Sequence, residues 1–87
     1  MEERRVKYFL APWCDACAEY MAQVERAADF MDMPFDLIQE GESTYNHAMN
    51  RYAIHKLPVV VVTNGDTYKK YTGVGGISDF LILYSDE

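Results

Sequence analysis

The sequence predicts an α/β domain: a four-stranded mixed sheet with helices on both faces. Three observations support this class. A short apolar run stops at a proline just before a helical pattern, four consecutive valines follow Leu57-Pro58, and Asn64-Gly65 separates two strand-like runs. Together with the segments between them, they predict the order β-α-β-α-β-β-α, and the 87 residues are expected to form one domain, 1–87.

The first half of the chain is predicted to form a strand–helix–strand unit. Val6–Leu10 has the apolar composition of a buried strand, and Pro12 follows it. From Cys14 to about Phe30 the apolar residues recur at helical spacing, which predicts a helix. Residues 34–38 are predicted to form a short second strand. Because such a connection crosses over to a parallel neighbour, the first two strands should be parallel.

The second half begins with a loop that ends at Ser43, a candidate N-cap, and continues into a helix with one apolar face. Val59–Thr63 is the strongest strand signal in the chain, and Asp66–Thr72 is a second strand-like run. Asn64-Gly65 between them predicts a tight hairpin, so the last two strands should be antiparallel.

The last predicted element is a helix that follows a glycine-rich turn. Gly73–Gly76 is expected to be the turn, and Ser78 is expected to cap a helix that runs through Tyr84.

Composition limits the classes of partner. The formal net charge of −6 argues against nucleic acid or an anionic membrane as the main partner, and no apolar run approaches the length of a membrane span. The start, Met1–Arg5, leads directly into a strand without a signal-peptide pattern, so a cytoplasmic location is expected. In that compartment cysteines are kept reduced, and a close pair is more often reactive or metal-binding than structural.

Cys14 and Cys17, the two cysteines of the chain, lie at the predicted junction of a strand and a helix. At a helix N-terminus the free backbone N–H groups and the helix dipole stabilise a thiolate and lower the pKa of the thiol. Cys14 is therefore the predicted nucleophile, and Cys17, one turn further on, the resolving thiol.

Two other interpretations of the pair stay open. A structural zinc site needs four ligands, and His47 and His55 stand at no finger-like spacing, so no metal is predicted. An inert disulfide is the other alternative. Leu57-Pro58 is ambiguous as well, because a proline at this point is either an ordinary first residue of a strand or a cis bond that exposes the Leu57 backbone as an edge.

The element order, "APWCDAC" before the first helix and "LPVVVV" at the third strand resemble the thioredoxin/glutaredoxin superfamily over nearly the whole chain. "APWCxxC" and "YAIHKLPVVVVTNGD" are similar to thioredoxin, whereas the short chain and "GVGGISDFL" are more similar to glutaredoxin. The resemblance implies that Pro58 is cis and packs over Cys14 and that Leu57 backbone groups pair with the substrate. Trp13 is expected to present an apolar docking surface to protein substrates, and the alternative is a partly buried core residue.

The glutaredoxin-like ending implies a place for glutathione as a co-substrate. Gly75, Gly76 and Ser78 would hold its γ-glutamyl carboxylate at a helix N-terminus. The other carboxylate would need a cation, and the candidates are Arg51, His55 and Lys56.

The sequence departs from the pattern of one or both families at three places, one of which is Ser78-Asp79 in place of the Asp-Asp pair of many glutaredoxins. Asp15-Ala16 matches neither family's dipeptide between the cysteines, and Tyr8 stands where thioredoxin has a buried acid. Because Asp15 places a negative charge beside the Cys14 thiolate, we expect a comparatively reducing couple, between about −200 and −270 mV.

The resemblance implies a monomeric thiol–disulfide oxidoreductase with no tightly bound cofactor. It would reduce protein disulfides, such as that of a ribonucleotide reductase, or glutathione mixed disulfides. Glutathione or a thioredoxin reductase would recycle it. The alternative is a non-catalytic binding module of the same fold or an iron–sulfur scaffold.

Overall fold

The structure is a computed structural model that describes residues 4–85. Its elements, in chain order, are β1 (Arg4–Leu10), α1 (Asp15–Phe30), β2 (Phe35–Gln39), α2 (Ser43–Arg51), β3 (Val59–Asn64), β4 (Thr67–Thr72) and α3 (Gly73–Ser85). The four strands form one sheet in the order β2-β1-β3-β4. β1 is parallel to β2 and antiparallel to β3, and β4 is antiparallel to β3. The predicted mixed sheet and element order are confirmed.

One face of the sheet is covered by α1 and α3. Val6 and Tyr8 of β1 lie on this face and are fully buried. The helices cover them with small or branched side chains in α1 and with larger apolar ones in α3. The buried helical members of this cluster are Val24, Ala27, Ala28, Ile77 and Phe80. The small α1 residues let that helix approach the strand closely, which places Tyr8 directly beneath the first turns of α1.

The other face is covered by α2 and by the loop that follows it. Phe9 of β1 and Val59 and Val61 of β3 are fully buried there, against Tyr45 and other residues of the α2 side. Val60 and Val62 belong to the opposite cluster, so β3 is buried on both sides. This two-sided burial explains why its sequence is a continuous apolar run rather than an alternating one. Within residues 4–85, no helix is both long and apolar enough to cross a membrane.

An ion-pair cluster lies on the α2 face toward the start of β1. The Arg5 guanidinium donates to both carboxylate oxygens of Asp36, at 2.9 and 3.0 Å, and Lys7 Nζ donates to the same carboxylate at 3.1 Å. Lys7 and Asp36 are also paired in the β1–β2 register. The hydrogen bonds from Arg5, followed by those from Lys7, hold the pKa of Asp36 below its usual value, although partial burial opposes them.

Two helix starts differ from the sequence predictions. α2 begins at Ser43 and its N-cap is Glu42. α3 begins at Gly73, so the predicted turn over Gly73–Gly76 is wrong and Ser78 is not the N-cap. The backbone explains the early start of α3, because Gly73 has φ +76° and its N–H donates to the Pro58 carbonyl at 2.7 Å. Glycine adopts this φ without a steric penalty, which lets the chain pass from β4 directly into the helix.

The Asp36 cluster gives a pH-dependent contribution to stability. Since folding lowers the pKa of Asp36, the contribution is present above the carboxyl's unfolded pKa and is lost as the pH falls through the folded one. Asp36→Asn should lower the free energy of unfolding at pH 7 by about 1 kcal/mol or less, because the pair is partly exposed.

Urea unfolding of wild type and Asp36→Asn at pH 7 and near pH 2 measures this difference. The two proteins should converge at the lower pH. A difference of equal size at both pH values would contradict the electrostatic explanation.

Candidate functional site

Cys14 and Cys17 are joined in a disulfide at the N-terminus of α1, with their Cα atoms 5.3 Å apart. Cys14 is the N-cap of α1, and its Sγ accepts a hydrogen bond from the Cys17 N–H at 3.1 Å. The predicted strand-to-helix position of the pair is confirmed. The sulfur of Cys14 therefore lies where the unpaired N–H groups of a helix favour negative charge.

The two cysteines differ in their access to solvent. Cys14 is 7% exposed and Cys17 is fully buried. With Ala11 they form a small apolar cluster against which Leu57 packs. Of the two sulfurs, that of Cys14 is therefore the more accessible to another molecule.

β1 and the loop after it hold both cysteines. The Cys14 N–H donates to the Ala11 carbonyl at 3.1 Å, and the Tyr8 hydroxyl donates to the Cys17 carbonyl at 2.5 Å. Burial, with a smaller contribution from the neighbouring Tyr20, raises the pKa of Tyr8 to about 12. The Tyr8 hydroxyl is therefore a neutral donor at physiological pH. It occupies the position at which the sequence was seen to lack the buried acid of thioredoxin.

The Leu57–Pro58 peptide bond is cis, as the resemblance implied, whereas the packing of Pro58 over Cys14 stays a prediction. Leu57 packs against the cysteine cluster, and Pro58 directly precedes the first residue of β3. The Pro58 carbonyl accepts the hydrogen bond from Gly73 described above. Gly73 therefore ties the start of α3 to the loop beside the disulfide. This role of Gly73 was not among the predictions, although a glycine directly after the last strand is a signal for a left-handed backbone.

Trp13 lies on the surface beside Cys14. It is 64% exposed, and its Nε1 donates to Glu40 Oε2 at 3.4 Å. The indole is thus not a core residue. A shallow cavity of about 230 Å³ adjoins Cys14 on this side and is lined by residues that include Asp15 and Glu40. The surface next to Cys14 is therefore acidic on one flank and apolar at the indole.

The predicted glutathione residues are arranged differently from the expectation. Because α3 begins at Gly73, its free N–H groups belong to the first turn, and Ser78 lies beyond that turn, exposed to solvent. Gly76 is needed for packing, since a Cβ on it would come within 2.6 Å of the backbone carbonyl carbon of Tyr71. A Cβ on Gly75 would meet no other atom of residues 4–85 within 4 Å.

The candidate cations for glutathione lie on the segment from α2 to β3. The Arg51 guanidinium lies 5.6 Å from the centroid of the Tyr52 ring, and His55 and Lys56 are exposed in the loop before Leu57. Over the described range, 4–85, no group of three or more histidine, cysteine or acidic side chains is arranged to hold a metal ion.

Comparison with known proteins identifies the fold. No family model matches the chain, and no curated protein sequence matches it. Solved structures do. Thioredoxin 1 from Thermosipho africanus is 17% identical with a TM-score of 0.75, covering 88% of this chain and 85% of its own. Oxidised thioredoxin O2 from Arabidopsis thaliana is 19% identical with a TM-score of 0.74, covering 97% and 75%. Thioredoxin from Trypanosoma brucei brucei is 16% identical with a TM-score of 0.73, covering 97% and 74%. The chain has a thioredoxin fold.

The two adjacent glycines of α3 give a matched pair of variants. Gly76→Ala should lower the free energy of unfolding by about 1–3 kcal/mol, because the new methyl group meets rigid backbone. Gly75→Ala should be neutral or raise it by up to about 1 kcal/mol, because alanine is the better helix former. Chemical denaturation followed by circular dichroism compares them; equal effects would contradict a packing role specific to Gly76.

Proposed function

We propose that this thioredoxin-fold chain is a thiol–disulfide oxidoreductase whose redox centre is the Cys14–Cys17 pair. The observation that carries the proposal is the placement of the pair. Cys14 caps α1 with its sulfur facing the helix N–H groups, while Cys17 lies buried within bonding distance. A purely structural disulfide has no need of a helix N-terminus at one of its sulfurs.

The reaction is two successive thiol–disulfide exchanges. In the reduced protein the Cys14 thiolate attacks one sulfur of a substrate disulfide. The substrate S–S bond breaks, its other sulfur leaves as a thiolate and takes up a proton, and a mixed disulfide forms on Cys14. Cys17 then loses its proton and attacks the Cys14 sulfur, which releases the second substrate thiol. The substrate gains two electrons and two protons, and the protein is left with the disulfide that the structure contains.

The surroundings of Cys14 support a protein disulfide as the substrate. The Leu57 backbone, beside the cis bond, offers an edge that pairs with an extended substrate segment, and the exposed Trp13 offers an apolar contact on the other side. Both features extend the contact area beyond the reacting sulfurs, which suits a polypeptide.

Glutathione is the less favoured reaction partner. Asp15 and Glu40 place negative charge beside Cys14, and glutathione carries two carboxylates. The close approach of the Tyr71 backbone explains why residue 76 is a glycine, without any ligand. Ser78 does not lie at the helix N-terminus, where it was expected to hold a carboxylate. We therefore propose recycling by a thioredoxin reductase and action as a monomer in a reducing compartment such as the cytoplasm. A ribonucleotide reductase is one possible target.

A paired turnover assay tests the choice of recycling partner. One arm couples insulin reduction to thioredoxin reductase, and the other couples reduction of a glutathione mixed disulfide to glutathione reductase. Turnover in the first arm alone is the expected result. Turnover confined to the second arm would overturn the assignment of the partner, and turnover in neither would favour the alternative of a non-catalytic binding module.

Single cysteine variants test the roles of the two sulfurs. Cys14→Ser should abolish turnover, because no thiolate remains at the accessible position. Cys17→Ser should retain the first exchange and accumulate mixed disulfides with a protein substrate, because the resolving sulfur is missing. Non-reducing electrophoresis detects the trapped species, and the double variant is the control for background coupling. Mixed disulfides on Cys14→Ser but not on Cys17→Ser would reverse the assignment.

A further inference from the structure

Tyr8 makes a contact with the redox centre that the reaction described above does not use. Its side chain is fully buried on the α1 side of the sheet, and its hydroxyl donates to the Cys17 carbonyl at 2.5 Å. A carbonyl in a helix already accepts from the N–H four residues further on. The Tyr8 bond is therefore an additional connection between β1 and the second cysteine, and is not needed to satisfy that carbonyl.

The Tyr8 hydrogen bond and a second one, made by Ala11, connect the two cysteines to β1 and the residue that follows it. Cys14 is held through its N–H by Ala11, which directly follows β1, and Cys17 is held through its carbonyl by Tyr8. β1 is the strand between β2 and β3, with hydrogen-bonded neighbours on both sides. β1 and the residue after it thus contact each cysteine through a hydrogen bond that is separate from the disulfide.

We propose that Tyr8 is a positioning residue of the redox centre, whose hydroxyl holds Cys17 close to Cys14 in the reduced protein. The inference rests on the proposed oxidoreductase function. In the oxidised protein the disulfide itself fixes Cys17, so the hydroxyl adds little there. In the reduced protein the hydroxyl restricts the motion of Cys17. Less conformational entropy is therefore lost when the disulfide forms. The hydroxyl thus raises the effective concentration of one sulfur at the other.

Two measurable consequences follow from a higher effective concentration. The equilibrium constant for forming the Cys14–Cys17 disulfide is larger, so the couple is more reducing. The attack of Cys17 on a mixed disulfide is also faster, whereas the first attack by Cys14 on a substrate is unchanged, because that step does not involve Cys17.

Tyr8→Phe is the decisive variant because it removes the hydroxyl and keeps the buried ring. Loss of one hydrogen bond should lower the constant for disulfide formation about three- to tenfold. The reduction potential should then become less negative by about 15–30 mV, at about 30 mV per tenfold for a two-electron couple. Equilibration in glutathione redox buffers at pH 7, followed by alkylation and mass measurement, gives the potential without requiring turnover.

The two exchange steps can be separated with one equivalent of the aromatic disulfide 5,5′-dithiobis(2-nitrobenzoate). Attack by Cys14 releases the first coloured thiolate in a phase whose rate depends on concentration. Attack by Cys17 on the resulting mixed disulfide releases the second in a phase whose rate does not. Tyr8→Phe should slow the second phase about three- to tenfold and leave the first unchanged.

Two control variants separate positioning from general stability. Tyr20→Phe removes a neighbouring hydroxyl and keeps the Tyr8–Cys17 bond, and it should match wild type. Val24→Ala removes buried volume from the hydrophobic cluster between the sheet and α1. It should lower the midpoint of urea unfolding without changing the reduction potential.

The outcomes distinguish the two proposals. A wild-type protein that forms no reversible Cys14–Cys17 disulfide overturns the oxidoreductase function itself. A wild type that titrates normally, together with a Tyr8→Phe variant of unchanged potential and unchanged second phase, overturns only the role of Tyr8. An equal shift in Val24→Ala does the same, because it would show an effect of stability alone.

Discussion

The position of β1 in the sheet is the constraint on which the other features of the site depend. β1 pairs with β2 on one side and β3 on the other, and each of its faces is buried by a different set of helices. Its end therefore cannot shift without disturbing both layers. Cys14 follows this end by four residues, so the first turn of α1 and both sulfurs are positioned by a central strand of the described sheet. The Tyr8 and Ala11 hydrogen bonds extend that constraint to the individual cysteines.

The second half of the chain closes the site from the opposite side through a separate connection. The carbonyl of Pro58 accepts from the N–H of Gly73, so the loop before β3 and the start of α3 are held together beside the disulfide. Gly76 then allows α3 to pass close to the backbone at the end of β4. Glycines that resemble a ligand-binding turn in the sequence are explained here by a positive φ at Gly73 and a close backbone contact at Gly76. These two glycines thus serve the backbone conformation and the packing of α3.

The charges around Cys14 oppose one another. The N-terminus of α1 favours a thiolate, whereas Asp15 and Glu40 bring negative charge to the adjacent surface. The helix dipole acts directly on the sulfur, through the Cys17 N–H. The two carboxylates lie toward solvent, where salt screens them, and act more strongly on an approaching partner. Under the proposed function, the helix N-terminus would act on the Cys14 sulfur, and the two carboxylates would act on the partner that approaches it.

The element order, the hairpin at Asn64-Gly65 and the location of the cysteine pair at a strand–helix junction could be predicted from the sequence, because they follow from local periodicity and turn chemistry. The sequence also placed the continuous valine run in a strand, although burial on both faces became evident only from the packing of two helical layers. The start of α3 could not be predicted in this way, since the hydrogen bond from Gly73 to Pro58 joins residues fifteen positions apart and overrides the low helix propensity of glycine. The same holds for Tyr8: its place in a buried strand was predictable, but its bond to Cys17 depends on how closely α1 packs on the sheet.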